Sequence, residues 1–153
     1  MTNLDEIAIR KMTLDDRGLV MDFFGQMGGE TRALFNVNDC NLDRARRIFD
    51  EKIDAEDFLA IYQGEMVGYV FLMDFETRIP WLGIAVSERM KGMGLGKKLM
   101  RFAEEHAKKH DKGGIMLITH VANIRAQALY ARAGYRHLGV HTSGQLLYLR
   151  RFP

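Results

Sequence analysis

The residues with the clearest chemical potential form one stretch, Val86 to Met100, VSERMKGMGLGKKLM. Gly92, Gly94 and Gly96 stand at alternate positions, and from Arg89 to Arg101 the chain carries five basic residues (Arg89, Lys91, Lys97, Lys98, Arg101) and no acidic one. A backbone free of Cβ atoms can turn successive amide N–H groups toward one point. The apolar spacing that follows predicts a helix, whose unpaired first-turn N–H groups and dipole favour an anion at the same place. Together these features read as a phosphate cradle, although the loop alone fits equally well a flexible strand-to-helix turn with a solvated basic face. Spacing narrows the ligand. A P-loop needs G-x-x-x-x-G-K-[ST], but Lys91 stands five residues before Gly96, and Lys98, with no hydroxyl for magnesium, follows Lys97. A dinucleotide fingerprint needs a glycine three residues after Gly96, where the chain has Leu99. Nucleoside triphosphate hydrolysis and dinucleotide-dependent redox chemistry are both disfavoured.

The frame that must position this loop is bounded by composition. With 153 residues, 47% of them apolar and 27% charged, the chain is expected to fold as one domain over 1–153 with its own core. The net charge of +2 supplies no global field toward nucleic acid or an acidic membrane, so neither is expected as a partner. A lone Cys40 forms no internal disulfide, suits a reducing compartment and reads as a small packed side chain. Asp5 and Glu6 stand where a signal peptide would be basic, and no apolar run approaches the roughly 20 residues that span a bilayer, so a cytoplasmic location is expected.

Periodicity supplies the elements. IAIRKMT (7–13) alternates as a strand, a helix follows through Leu14, Leu19, Phe23 and Met27, and 28–41 has no sustained period. LDRARRIFDEKID (42–54) is a second helix with Leu42, Ala45, Ile48 and Phe49 on one face. Strands over about 58–62 and 66–76 flank Gln63-Gly64-Glu65 as a hairpin, and IPWLGIAVS (79–87) is a third strand in this region. A long helix over about 94–110 places Lys97, Lys98, Arg101 and Lys108 on its exposed face. IMLITHV (115–121) is a strand, Asn123 caps a helix that stops at Gly134, and YRHLGVHT with LLYLRRF closes the chain as a hairpin around Ser143-Gly144-Gln145. The order β-α-α-β-β-β-α-β-α-β-β predicts a mixed α/β fold.

VSERMKGMGLGKKLM followed by NIRAQALYARAGY resembles the two signatures of the GNAT superfamily of acetyl-CoA-dependent N-acetyltransferases. The family loop reads Gln/Arg-x-x-Gly-x-Gly/Ala, met here by Lys91, Gly94 and Gly96 with lysine as a departure at the first position; Asn123, Ala126, Leu129, Tyr130, Gly134 and Tyr135 meet the second signature. The resemblance implies a central, mostly antiparallel sheet of about seven strands flanked by about four helices, with a splay between the two central strands aided by a β-bulge in the strand LGIAVS. It implies acetyl-CoA as co-substrate and no metal ion. Ile84, Ala85 and Val86 would then lie along the pantetheine arm; Lys91, Gly92, Met93, Gly94, Leu95, Gly96 and Lys97 would surround the pyrophosphate; Lys98 or Arg101 would face the 3′-phosphate. Asn123, Ala126 and Tyr130 would complete the cofactor contacts, with Tyr130 as the acid beside the sulfur.

For the base that frees the amine lone pair, Glu76 and His120 are the candidates beside bound water. The resemblance implies an acceptor site against Glu30, Arg32, Phe35 and Asn36 and the turn near His141, with Trp81 in the same cleft; a carboxylate at Glu30 and a guanidinium at Arg32 then point to an amino-acid-like or peptide amine. The chain is expected as a monomer or homodimer. A non-catalytic acyl-CoA sensor of the same fold is the alternative.

Overall fold

A computed structural model describes residues 3–27 and 41–153, so Cys40 and the acceptor candidates Glu30, Arg32, Phe35 and Asn36 lie outside the described residues. Seven strands, β1 (Ala8–Lys11), β2 (Glu56–Tyr62), β3 (Glu65–Met73), β4 (Trp81–Val86), β5 (Gly114–Thr119), β6 (Arg136–Val140) and β7 (Leu146–Arg151), form one sheet in the order β1-β2-β3-β4-β5-β7-β6. Every neighbouring pair is antiparallel except β4 and β5. The described helices are α1 (Arg17–Gly25), α2 (Asn41–Glu51), α3 (Leu95–Lys109) and α4 (Ile124–Arg132), in the element order that periodicity predicts. None of them is long and apolar enough to cross a membrane.

Alternation along the strands divides the core in two. On one face Leu95, Leu99 and Ala103 of α3 pack with Val70, Ile84, Ile115 and Leu117; on the other Val20 and Phe24 of α1 and Ile48 of α2 pack with Leu59, Tyr69 and Phe71. Two glycines permit these layers to close. A Cβ on Gly68 would lie 2.9 Å from Leu99 Cδ1, and one on Gly83 would fall within the Phe71 ring. Arg44 of α2 lies over that ring, 4.6 Å from its centroid. Its Nε and Nη2 donate to Asp57 at 3.1 and 2.7 Å, and the Tyr69 hydroxyl donates to the same carboxylate. Asp57 is wholly buried, so this paired fork satisfies a charge that burial would otherwise make costly and pins α2 to the sheet.

Three boundaries differ from the periodicity for local reasons. The Gln63-Gly64 hairpin has positive φ at both residues (51° and 78°), the twist-matched two-residue turn, so β2 and β3 pair down to Tyr62 and Glu65. β3 stops at Met73, three residues short of the expected 76, because Asp74 takes φ 54° and Thr77 N–H closes a turn on its carbonyl at 2.9 Å. α2 ends at Glu51 because Lys52 is left-handed (φ 54°).

The splay expected between the central strands is present. β4 and β5 share one paired position, Trp81 with Met116, where Met116 N–H donates to the Pro80 carbonyl at 3.0 Å. The expected β-bulge in β4 is not there: its register with β3 is unbroken from Gly68↔Val86 to Met73↔Trp81. The gap opens without it because each strand is committed elsewhere, β4 to β3 and β5 to β7 along its full length. The twist of the two half-sheets then carries the parallel ends apart.

Candidate active site

Among the described residues, the gap offers a free strand edge. Ser87 N–H donates to the Val67 carbonyl at 3.0 Å. Alternate residues of an antiparallel strand point both main-chain groups to the same neighbour, so Gly83 and Ala85 face β3 while Ile84 and Val86 present their N–H and C=O to the gap. The Ile84 and Ala85 side chains are buried in opposite core layers, which leaves their backbone as the usable surface.

β4 runs directly into the glycine loop. Gly92 (φ 77°) and Gly94 (φ 89°) adopt the left-handed conformation that favours glycine, and Gly94 is the N-cap of α3 with no side chain capping it. The first-turn amides of α3 therefore keep their donors for a ligand. Gly96 has a packing task besides the one its spacing suggested: it lies within the first turn of α3, and a Cβ there would come within 3.1 Å of Leu129 Cδ2. Its bareness lets α4 pack against the first turn of α3, which brings the two sequence signatures together. Met93 is 42% exposed and Lys97 is exposed, while Leu95 is wholly buried and offers only its backbone.

The basic cluster does not act as one field. Arg89 pairs with Glu65 at 2.7 Å, and Lys91 Nζ lies 3.2 Å from Glu88 Oε1, an i,i+3 pair that the adjacent sequence Glu88-Arg89-Met90-Lys91 could have signalled. Lys98 is not on an exposed helix face, as periodicity placed it: its ammonium donates to the carbonyls of Leu4 and Ile7 at 2.6 and 2.9 Å, which withdraws it from any 3′-phosphate. Nothing in the sequence flags that tie, because its partners are main-chain atoms at the other end of the chain. Lys97 and Arg101 form no ion pair among the described residues.

Asn123 caps α4, its Oδ1 accepting from Ala126 N–H at 3.2 Å, while its Nδ2 has no partner among the described residues. Tyr130, in the following turns of α4, is 5% exposed, with its ring 5.9 Å from Tyr148 and 6.1 Å from Tyr135. Its hydroxyl bonds to no described residue. Burial, and secondarily the neighbouring Tyr148, raise its pKa above the ordinary tyrosine range, so the phenol keeps its proton.

The two base candidates are not brought together. Glu76 is exposed in the turn after β3, and its neighbour Phe75 stacks on His106 near the C-terminal end of α3, the end opposite the glycine loop. His120 follows β5, nearer the open end of the gap, but Ala122 N–H donates to its Nδ1 at 3.0 Å. A neutral ring accepting there carries its proton on Nε2, an arrangement suited to donating a hydrogen bond and not to taking a proton at that atom. On the expected acceptor side, the β6–β7 turn reaches back so that His141 meets Trp81 edge to face, 5.8 Å between centroids. His141 Nδ1 is 3.1 Å from the Ser143 N–H that donates to it, which fixes that turn.

The whole-chain likeness agrees with this geometry. The GNAT domain of S. lividans PAT superposes with a TM-score of 0.80 at 15% identity over 99% of this chain and 100% of that one. PaiA N-acetyltransferase from Thermoplasma acidophilum, solved in complex with coenzyme A, gives 0.72 at 17% identity over 95% and 99%. In sequence, the N-acetylaspartate synthetases of Rattus norvegicus and Homo sapiens are 31% identical over 84 residues, which is 54% of this chain but 28% of theirs. The model of the acetyltransferase (GNAT) family matches residues 27–135, a stretch that begins just after α1 and takes in the glycine loop, the β4–β5 gap and α4 with Tyr130; the chain belongs to that family.

Proposed function

We propose that the chain is an N-acetyltransferase that moves the acetyl group of acetyl-CoA to a primary amine by direct attack in a ternary complex. The observation that carries this reading is the gap between β4 and β5, walled by the unpaired main-chain groups of Ile84 and Val86 and leading to the uncapped start of α3. When bound, the cofactor supplies an acetyl thioester. Ile84 and Val86 pair with its extended arm as an added strand would. The amides from Gly92 to Gly96, with Lys97, hold the pyrophosphate, and Arg101 is the remaining cation for the 3′-phosphate once Lys98 is committed elsewhere. Asn123 Nδ2 donates to the arm. Tyr130 would give its phenolic proton to the sulfur as the carbon–sulfur bond breaks and the new carbon–nitrogen bond forms, and would regain a proton from the one that the newly acylated nitrogen sheds. With Glu76 at the far end of α3 and His120 arranged as a donor, we assign removal of the ammonium proton to water.

For the acceptor we propose an amino-acid-like amine. The sequence relatives bear a name built on an N-acetylated amino acid, and Glu30 and Arg32 offer a carboxylate for an ammonium and a guanidinium for a carboxylate, with Phe35 and Asn36 nearby in sequence. Thermal unfolding with acetyl-CoA, CoA, ATP and NADH tests the cofactor. A ligand at 100 times its Kd adds about 2.7 kcal/mol, and only the two CoA species should do so. An amine panel that includes aspartate then reads CoA release. Stabilisation by CoA without amine-dependent release identifies the non-catalytic sensor instead.

A further inference from the structure

Lys98 occupies the first turn of α3, where a cation opposes the helix dipole. Its ammonium turns away from the loop to the Leu4 and Ile7 carbonyls, at 2.6 and 2.9 Å. The Leu4 carbonyl also accepts from Ile7 N–H at 3.1 Å, closing the short 3-10 turn Leu4–Glu6, and the Ile7 carbonyl follows at its C-terminal end; Asn3 Oδ1 caps the other end by accepting from Asp5 N–H at 3.0 Å. A positive group at the C-terminal end of a turn is the favoured arrangement, so the lysine stabilises this segment while crossing to it from α3. The same segment leans on the glycine loop. A Cβ on Gly94 would lie 3.2 Å from Leu4 Cδ1, so the Leu4 side chain rests against the glycine that starts the helix. Ile7 is 3% exposed in the core cluster that contains Leu95 and Leu99. Lys98, Leu4 and Ile7 thus form a strap across the start of α3.

We propose that Lys98 is a positioning residue for the cofactor loop: by fastening the N-terminal turn over Gly94 it holds the first amides of α3 in the conformation that receives an anion. The proposal rests on the reading that this loop takes the CoA pyrophosphate, and adds that the order of the loop is set by a segment remote in sequence.

Two substitutions separate the strap from a direct contact. Lys98→Met keeps the aliphatic stem and removes the ammonium; Leu4→Ala removes the contact on Gly94 and keeps the charge. CoA affinity is measured by calorimetry for the wild type, both variants and the double variant, with amide hydrogen exchange over 92–97 in the absence of ligand. The expected result is about tenfold weaker CoA binding in each variant and faster exchange at those amides. The double variant should lose no more than about the larger single loss, because both changes break one device, and kcat at saturating acetyl-CoA should hold. Wild-type affinity in Lys98→Met overturns the proposal. So does weaker binding in Lys98→Met with unchanged exchange and a normal Leu4→Ala, the pattern of a lysine that touches phosphate itself. Should Lys98→Met fail to fold, Leu4→Ala decides alone, and unchanged affinity and exchange there overturn the strap. A wild-type chain that does not bind CoA sinks the pyrophosphate reading before any variant is compared.

Discussion

Tyr130 shows how burial equips one side chain for its proposed work. A phenol with an unbonded hydroxyl and a pKa raised by its apolar surroundings stays protonated over the whole working range; the same burial makes it a weaker acid, so transfer relies on the negative charge that builds on the sulfur as the carbon–sulfur bond breaks. Tyr130→Phe keeps the ring that packs with Tyr135 and Tyr148 and removes only the proton. Steady-state kinetics should show kcat lowered by about 10²-fold with little change in the KM for acetyl-CoA, since general acid catalysis typically contributes that much and acts in the transition state. An unchanged kcat removes Tyr130 from the mechanism. In the sequence the tyrosine is singled out by its place in Asn123…Leu129-Tyr130…Gly134. The base is not. Glu76 and His120 were chosen for chemical type, and the turn at Asp74 and the Ala122 N–H that occupies the His120 ring are consequences of folding that composition does not announce.

At the scale of elements, ends matter more than middles. β1 passes into α1 through the 3-10 turn Leu14–Asp16, held by Asp16: its carboxylate accepts from Thr13 N–H at 2.7 Å and from both terminal nitrogens of Arg10 at 2.8 Å. The Arg10 hydrogen bond, more than Thr13, holds the Asp16 carboxyl below the ordinary range despite burial. A folded pKa below the unfolded one means that the stabilisation is present above about pH 4 and is lost as pH falls through the lowered folded value. Asp16→Asn should therefore cost about 1–2 kcal/mol in urea unfolding at pH 7, the guanidinium being partly in water, and the difference from wild type should shrink toward zero in strong acid. A difference that does not depend on pH contradicts this account. The helices and hairpins were predicted to within a few residues because apolar spacing and the Asn, Gly and Pro signals are local. The misplaced ends, at Met73 and Glu51, fall where a non-glycine residue takes positive φ.

The whole molecule is a sheet with two committed halves and a gap between them. That arrangement predicts an alternation at β4 that no helix or ordinary strand would give. In the unliganded chain the amides of Ile84 and Val86 should exchange with solvent faster than those of Gly83 and Ala85, which face β3, and acetyl-CoA should slow the first pair selectively. Uniform protection along β4, read by NMR, is incompatible with an open edge. The sequence by itself determined the order of elements, the glycine loop, and the pairing of two signatures that names the family, because each depends on residues close together in the chain. It did not show that two of the loop's cations are paired with Glu65 and Glu88, or that Gly96 also has a packing task. Only the tertiary structure decided that Gly96 admits Leu129, that Lys98 belongs to the Leu4–Ile7 segment, and that the gap needs no bulge. Those outcomes depend on which surfaces meet and which strands are already paired. Such contacts join residues far apart in sequence, and neither periodicity nor spacing along the chain encodes them.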